Sequence, residues 1–373
     1  MLAARFKHVD WVLLIAILPL VGAGLITMNS FTAESYFFGR QLAWVAVSLV
    51  VFFLLSLLDL RFLRRSGVVV AIYACLAALL LALLFIASPV KGARSWFNFG
   101  PISFQPADFM KLALILILAK YFSRRHIAIA HFRHIFVSGL YALLPFALVF
   151  VQPDFGSAVI IFVIWLGMII VAGVSRRHLA LVLMVVTLAL SFAWFRVLDD
   201  YQKIRLASFV NPLADVRGAG YNARQSTIAV GSGQVLGKGV GHGTQSRLRF
   251  LPEYETDFIF AAFAEEWGFV GVIILLALFN VVIWRTLEAA KLAASNFEAL
   301  YAVGLAILFL SHLVINVGMN IGLLPVTGLP LPFVSYGGSH LLAAFIGLGL
   351  LMGMRRYSRA YHQDDLKKEF LGV

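Results

Sequence analysis

Charge is scarce in this chain, and acidic charge is scarcest. Of its 373 residues 13% are charged, with 18 Asp or Glu against 30 Lys or Arg. A soluble domain carries roughly 25% charged residues, so a water-exposed globule is excluded. The one cysteine, Cys75, rules out a disulfide framework, and its place in an apolar run predicts a side chain buried in a span. There is no tandem repeat of fixed period and no linker or break in composition, so residues 1–373 read as one domain. The first apolar run lacks a small-residue cleavage site and is followed by others, which marks an anchor and not a removed signal peptide.

Apolar residues take the place of charge, at 61% of the chain. They gather in ten runs near the roughly 20 residues that cross a bilayer. These are 10–28, 39–59, 67–87, 106–122, 135–152, 156–173, 178–195, 258–284, 299–320 and 336–354. The fourth is the weakest, being short and carrying Asp108 and Lys111. The expected fold is an all-α polytopic membrane protein of about ten transmembrane helices. A net charge of +12 would suit nucleic acid, but its placement does not. Arg61, Arg64, Arg65, Arg124, Arg125, Arg176, Arg177, Arg355 and Arg356 fall on one set of alternate connections, whereas short loops of the other set hold Arg40, Lys91 and Arg94. That asymmetry is a topology signal, and it puts both termini in the cytoplasm. The loop of about 196–257, between spans 7 and 8, is then extracytoplasmic. Long loops are exempt from the rule, so its own cations do not conflict.

That loop is a polar island. Asp199, Asp200, Asp215, Glu253, Glu255 and Asp257 stand there among lysines, arginines and glycines. Membrane insertion needs none of this, so recognition or chemistry is the expected reason. Other oddities fall at 88–106, at Gln152-Pro-Asp-Phe-Gly-Ser and at 321–338, where three prolines and four glycines predict a re-entrant or unwound segment. Irregular backbone at membrane depth is tolerated only when buried in protein or lining a wet cavity. All of these features share one side, the pattern of a single outward-facing site.

The individual groups also admit structural readings. Asp108 and Lys111, three apart, can pair on one helix face, either as simple neutralisation or facing a cavity. His312, Asn316 and Asn320 recur every four residues, which predicts a seam of interhelical hydrogen bonds. One of Glu265 and Glu266 is expected to face inward with a basic partner, as a structural ion pair. Thr256-Asp257 would suit the start of the next helix, since both residue types cap N-termini, so capping and catalysis both stay open. The glycine-rich stretch from Gly231 to Gln245 has the composition of a phosphate cradle without P-loop order. Outside the cytoplasm nucleotides are absent, which leaves an anion such as a lipid pyrophosphate, held by Lys238, Arg247 and backbone amides.

The wording of the chain is more specific. Asn222-Ala-Arg-Gln-Ser-Thr-Ile-Ala-Val-Gly-Ser-Gly-Gln, Gly237-Lys-Gly, Gly243-Thr-Gln-Ser-Arg-Leu-Arg-Phe-Leu-Pro-Glu and Thr256-Asp-Phe-Ile-Phe-Ala closely resemble the SEDS family (shape, elongation, division and sporulation). Phe104-Gln-Pro-Ala-Asp-Phe-Met-Lys, Gln152-Pro-Asp-Phe-Gly-Ser-Ala and Thr327-Gly-Leu-Pro-Leu-Pro-Phe-Val-Ser-Tyr-Gly-Gly-Ser match further blocks, so the resemblance spans nearly the whole chain. It implies a ten-span peptidoglycan glycosyltransferase that polymerises lipid II outside the cytoplasmic membrane during cell elongation and releases undecaprenyl pyrophosphate. It implies a class B penicillin-binding protein as partner, with other elongation proteins beside it, and puts the family's essential aspartate on Asp257. Three departures stand out: Asp108 for the usual glutamate, Glu255 where histidine is common, and His340 for a frequent serine.

Such a reaction needs a base near the acceptor hydroxyl, worth about 10²–10⁴-fold, and Asp257 is the candidate. Cations should face the leaving pyrophosphate. Arg94, Lys111, Lys238 and Arg247 are the candidates, and Gln225, Ser246 and Glu253 complete the expected substrate-binding set. A divalent cation, Mg or Mn, on Asp257 and Glu253 or Glu255 is a further candidate, with no organic cofactor. Two other functions compete. A lipid II flippase or transporter would not need a carboxylate at the outer interface, and a non-enzymatic scaffold for the penicillin-binding protein would tolerate Asp257→Asn.

Overall fold

The structure, a computed structural model, describes residues 8–30, 36–87, 94–100, 102–123, 132–196, 203, 219–248 and 250–371. Each of the ten apolar runs forms a helix. They are α1 (Trp11–Ser30), α2 (Tyr36–Leu57), α3 (Ser66–Ile86), α4 (Pro106–Ser123), α5 (Phe132–Val151), α6 (Phe155–Val171), α7 (Arg176–Arg196), α10 (Ile259–Lys291), α11 (Asn296–Asn320) and α12 (Gly338–Leu371). The 196–257 loop adds two shorter helices, α8 (Ala219–Ser232) and α9 (Thr244–Arg247). A small antiparallel hairpin precedes α4, with β1 (Phe97–Phe99) paired to β2 (Ile102–Phe104) in the register Phe97 to Phe104. Asp199, Asp200, Asp215 and Lys91 lie outside the described residues.

Length and apolarity suit seven of these helices to a bilayer crossing: α1, α2, α3, α5, α10, α11 and α12, the last over Gly338–Arg356. At 17 residues α6 is shorter, and α4 carries Asp108, Lys111 and Lys120. The charges on α4 are tolerable because protein surrounds it. Its residues are buried on every face, and it packs against α3, α6 and α11. A helix covered on all sides belongs at the centre of a bundle, so the weakest run in the sequence is the innermost helix. By contrast α7 is peripheral, with most of its side chains exposed. Cys75 lies in α3 as expected, but its side chain is exposed and not buried. That helix is apolar all round and packs on one side, so composition could not tell its inner face from its outer one.

Ion pairs brace one end of the bundle. Arg285 of α10 and Arg355 of α12 both bind Asp10, at 2.6 and 2.8 Å, and Arg64 binds Glu298 of α11 at 2.6 Å. At the opposite end α10 is broken at Gly268 (φ 65°, ψ −167°). A kink withdraws backbone groups from the helical ladder, and buried groups need other partners. The glycine-rich stretch supplies them. Lys238 and Gly239 amides donate to the carbonyls of Glu265 and Glu266, both at 3.0 Å. The amides of Phe269 and Val270 donate to Gln234 and Val235, at 2.9 and 3.1 Å. Gly237 sits at φ +81°, and a Cβ there would meet the Glu266 carbonyl oxygen at 2.1 Å, so this contact requires glycine.

Residues 321–337 run without regular helix between α11 and α12, as the prolines and glycines predicted. Side chains satisfy this backbone. Asn316 Nδ2 donates to the Leu329 carbonyl at 2.8 Å and Gln41 Nε2 to that of Ser335 at 3.1 Å. The Leu331 amide donates to Ser335 Oγ at 2.8 Å. Leu329, Leu331, Phe333 and Val334 are buried, so the segment is enclosed in protein as its irregular backbone demands.

Candidate active site

The segments that the sequence marked as unusual converge on one cavity of about 460 Å³. Arg40 and Trp44 of α2, Ser95 and Trp96 before the hairpin, Asp108 and Lys111 of α4, and Pro153 to Phe155 contribute to its wall. Glu253, Thr256, Asp257, Thr327 to Pro330 and His340 complete much of the rest. The volume falls in the range of about 300–1,000 Å³ usual for ligand sites.

Asp257 is half-buried where the 196–257 loop turns into α10. The N-cap position of that helix is Phe258, one residue later, and makes no side-chain cap bond. What fixes Asp257 comes instead from α11. Asn316 Nδ2 and Asn320 Nδ2 both donate to its main-chain carbonyl, at 3.0 and 3.1 Å. The predicted polar seam thus exists, and two of its members hold the candidate base. The third, His312, bonds through Nδ1 to the Pro330 carbonyl at 3.1 Å. Opposite the carboxylate lies Gly328, at φ +73°, where a Cβ would stand 3.4 Å from Asp257 Oδ2. The loop end is further tied down by the Tyr336 amide on the Glu255 carbonyl at 2.8 Å and Ser335 Oγ on the Thr256 carbonyl at 2.6 Å.

Lys111 is almost fully buried, and its Nζ lies 2.9 Å from Asp108 Oδ1. The pair forms part of the cavity wall, so the neutralising and the cavity-facing readings hold together. Glu253 lies at the cavity with φ +54°, a left-handed backbone uncommon outside glycine, which re-aims the chain just before Asp257.

Of the predicted site residues, the structure brings Lys111, Glu253 and Asp257 to the cavity and leaves five off its lining. Arg94 is exposed near the rim, where its Nη1 donates to the Leu84 carbonyl at 3.2 Å. Lys238 is bound at 2.7 Å to Glu265, the carboxylate for which a basic partner was expected. Ser246 is buried beside the same carboxylate, with Oγ 3.5 Å from Glu265 Oε2. Gln225 is half-buried on α8, and Arg247 is exposed on α9. The expected anion cradle is therefore corrected. The amides of Lys238, Gly239 and Gly241 are spent on the Glu265 and Glu266 carbonyls and on Glu266 Oε1, because the kink of α10 demands them. Arg40, Trp44, Trp96, Asp154 and Gly328 were not singled out from the sequence. Asp154 and Gly328 stand inside quoted motifs, whereas Arg40 and the tryptophans carried no signal beyond an outer position.

Among the described residues no group of three or more His, Cys, Asp or Glu converges to hold a metal through protein ligands alone. Two cavity carboxylates, Glu253 and Asp257, still fit a Mg-like ion, which uses one or two carboxylates together with substrate phosphates.

Comparison with known proteins agrees with this architecture. The sequence profile of the FtsW/RodA/SpoVE family, described as "Cell cycle protein", matches residues 6–360. The chain belongs to that family. It is 35% identical over 353 residues to the peptidoglycan glycosyltransferase MrdB of Escherichia coli K12, covering 94% of this chain and 95% of MrdB. It is 32% identical to the peptidoglycan glycosyltransferase RodA of Treponema pallidum, covering 92% and 97% of the two chains. Among solved structures, a chain from a peptidoglycan synthase complex that coordinates polymerization and crosslinking superposes with a TM-score of 0.81 at 31% identity, covering 94% and 98%. The rod shape determining protein RodA of Thermus thermophilus gives a TM-score of 0.70 at 30% identity, covering 93% and 96%. This member of the family is thus a polytopic helical membrane protein, and its blocks at Phe104–Lys111, Gln152–Ser157, Thr256–Asp257 and Thr327–Ser339 meet at one cavity.

Proposed function

We propose that this chain is a peptidoglycan glycosyltransferase that polymerises lipid II at the outer face of the bacterial cytoplasmic (inner) membrane, with Asp257 as general base. The observation that carries this reading is the fixation of Asp257 at the cavity by Asn316 and Asn320, facing Gly328. Relatives across the length of the chain bear the same activity in their names.

The acceptor sugar hydroxyl approaches Asp257, which takes its proton as the hydroxyl oxygen bonds to the donor's anomeric carbon. The bond from that carbon to the pyrophosphate oxygen breaks, and undecaprenyl pyrophosphate leaves. No second acid is required, because pyrophosphate is already a good leaving group. Lys111 supplies fixed positive charge for the pyrophosphate from a buried position in the cavity wall, where such charge acts strongly. A divalent cation, when bound, would be held by Asp257 and Glu253 and would supply Lewis-acid stabilisation of the same group.

The basic connections around Arg61, Arg176 and Arg285 face the cytoplasm, as do both termini, so the cavity opens outside. The partner is a crosslinking enzyme of the class B penicillin-binding type, consistent with the peptidoglycan synthase complex to which one structural relative belongs. Purified protein in detergent, alone and with such a partner, should convert lipid II into glycan strands resolved on a gel. Detergent abolishes the two compartments that transport needs, so strands formed there exclude a flippase as the whole activity. No strands in either arm would sink the proposal.

A further inference from the structure

Two histidines, one lining the cavity and one packed against it, have no part in the chemistry above. His340, near the start of α12, lines the cavity. Its Nδ1 lies 3.3 Å from Asp108 Oδ1, the same oxygen that receives Lys111 Nζ at 2.9 Å. A carboxylate oxygen only accepts, so Nδ1 of His340 carries the proton and donates. Against this ring lies His312 of α11, fully buried, with ring centroids 4.7 Å apart and the planes tilted by 42°. Its Nδ1 faces the Pro330 carbonyl and also donates.

Both imidazoles are thus held through Nδ1. The Nε2 atom of each, together with Asp108 Oδ2, is a buried polar atom with no hydrogen-bond partner among the described residues. Incompletely paired polar groups are costly to bury, and each one in a folded protein calls for an explanation. Apolar side chains would pack this wall more stably, so the cluster points to a task beyond holding the fold.

Its geometry defines the task. Asp108 reaches its partners through a single oxygen. With one donor on that oxygen the short carboxylate could turn about its own axis, and the flexible Lys111 would follow it. Donors from two helices, α4 and α12, remove that freedom. We propose that His340 is a positioning residue that clamps Asp108, and through it Lys111, so that the ammonium is fixed for a pyrophosphate-bearing ligand in the cavity. This rests on the polymerase reading for the identity of the ligand, but not for the clamp itself.

Three variants test it: His340→Ala, His340→Asn, whose amide nitrogen reproduces the Nδ1 donor, and the pair Asp108→Glu with His340→Ser. In that pair the longer carboxylate reaches Lys111 unaided and fills space the ring leaves. His340→Ala should lower kcat for lipid II about tenfold with KM shifted less than about threefold, because the fixed charge matters most as the leaving group gains charge. His340→Asn and the double variant should recover most of that loss, and turnover across the series should not track melting temperature. Binding of undecaprenyl pyrophosphate is measured in parallel and should follow the same order. The proposal is overturned if His340→Ala is as active as the parent, if His340→Asn is as poor as His340→Ala, or if activity falls only in step with melting temperature. If the parent protein makes no strands, the polymerase reading fails separately, and the binding series still decides whether His340 acts as the clamp.

Discussion

Asn320 Nδ2 donates to the main-chain carbonyl of Asp257 at 3.1 Å, so a helix 63 residues further along the chain fixes the candidate base. The same side chain accepts through Oδ1 from Ser226 Oγ at 3.1 Å and from the Ala261 amide at 3.2 Å. One buried amide thereby joins α8, the start of α10 and α11. Asn320→Leu should lower stability by about 1–3 kcal/mol for each group left without its bond. It should also cut polymerisation by up to about 10²-fold, the scale of a 1 Å misplacement of a reacting group. Thermal melting and lipid II turnover measure the two effects, and turnover equal to the parent would dismiss the positioning role of Asn320.

Replacing the candidate base separates chemistry from folding. Asp257→Asn keeps shape and any capacity to cap, because Asn and Asp are equally good caps. An amide cannot accept the proton, so strand formation should fall by at least about 10²-fold. The melting temperature should hold. A scaffold would tolerate this change, and near-normal turnover would favour that alternative.

Much of this architecture is legible in the chain because membrane helices announce themselves. Ten apolar runs became ten helices, and Phe104–Lys111, Gln152–Ser157, Thr256–Asp257 and Thr327–Ser339 all reached one cavity. Residues whose surroundings are set from afar stayed illegible. Spacing pairs Asp108 with Lys111, but the chain does not say that His340, 232 positions later, shares the same oxygen. Glycines beside Lys238 have the same composition whether their amides face a phosphate or repair a helix broken at Gly268. The face of α3 that carries Cys75 is just as apolar as the face that packs.

The buried pair of α4 offers a sharper test of function against neutralisation. Lys111→Met alone leaves Asp108 charged and buried, and should cost about 3–5 kcal/mol. Adding Asp108→Leu removes that charge and should restore expression and melting temperature. Turnover should stay low, since the pyrophosphate would still lack its cation. Recovery of turnover together with stability would reduce Lys111 to a counter-ion.

Lys238 should behave in the opposite way. Its partner Glu265 is fully buried and also accepts from the Gln245 amide at 3.1 Å and Thr244 Oγ1 at 3.1 Å. Lys238→Met should destabilise by about 1–3 kcal/mol, less than for Lys111 because the lysine is partly exposed. Adding Glu265→Gln keeps an acceptor for the Gln245 amide without a buried charge, and should restore both melting temperature and turnover. Stability regained without turnover would return Lys238 to the substrate-binding set.

Everything about the reaction depends on which compartment the cavity faces. Leu248 precedes α10 and Leu292 follows it, with exposures of 60% and 50%. The helix between them has 33 residues, about 50 Å at 1.5 Å per residue, more than enough to span the roughly 30 Å hydrocarbon core. Arg285 and Lys291 shortly precede Leu292, so the proposed orientation puts that end in the cytoplasm and Leu248 outside. With Cys75→Ser as background, Leu248→Cys should react with a membrane-impermeant thiol reagent in intact spheroplasts. Leu292→Cys should react only after the membrane is opened. The opposite order would turn Asp257 toward the cytoplasm, away from any growing glycan strand, and the polymerase reading would fall with it.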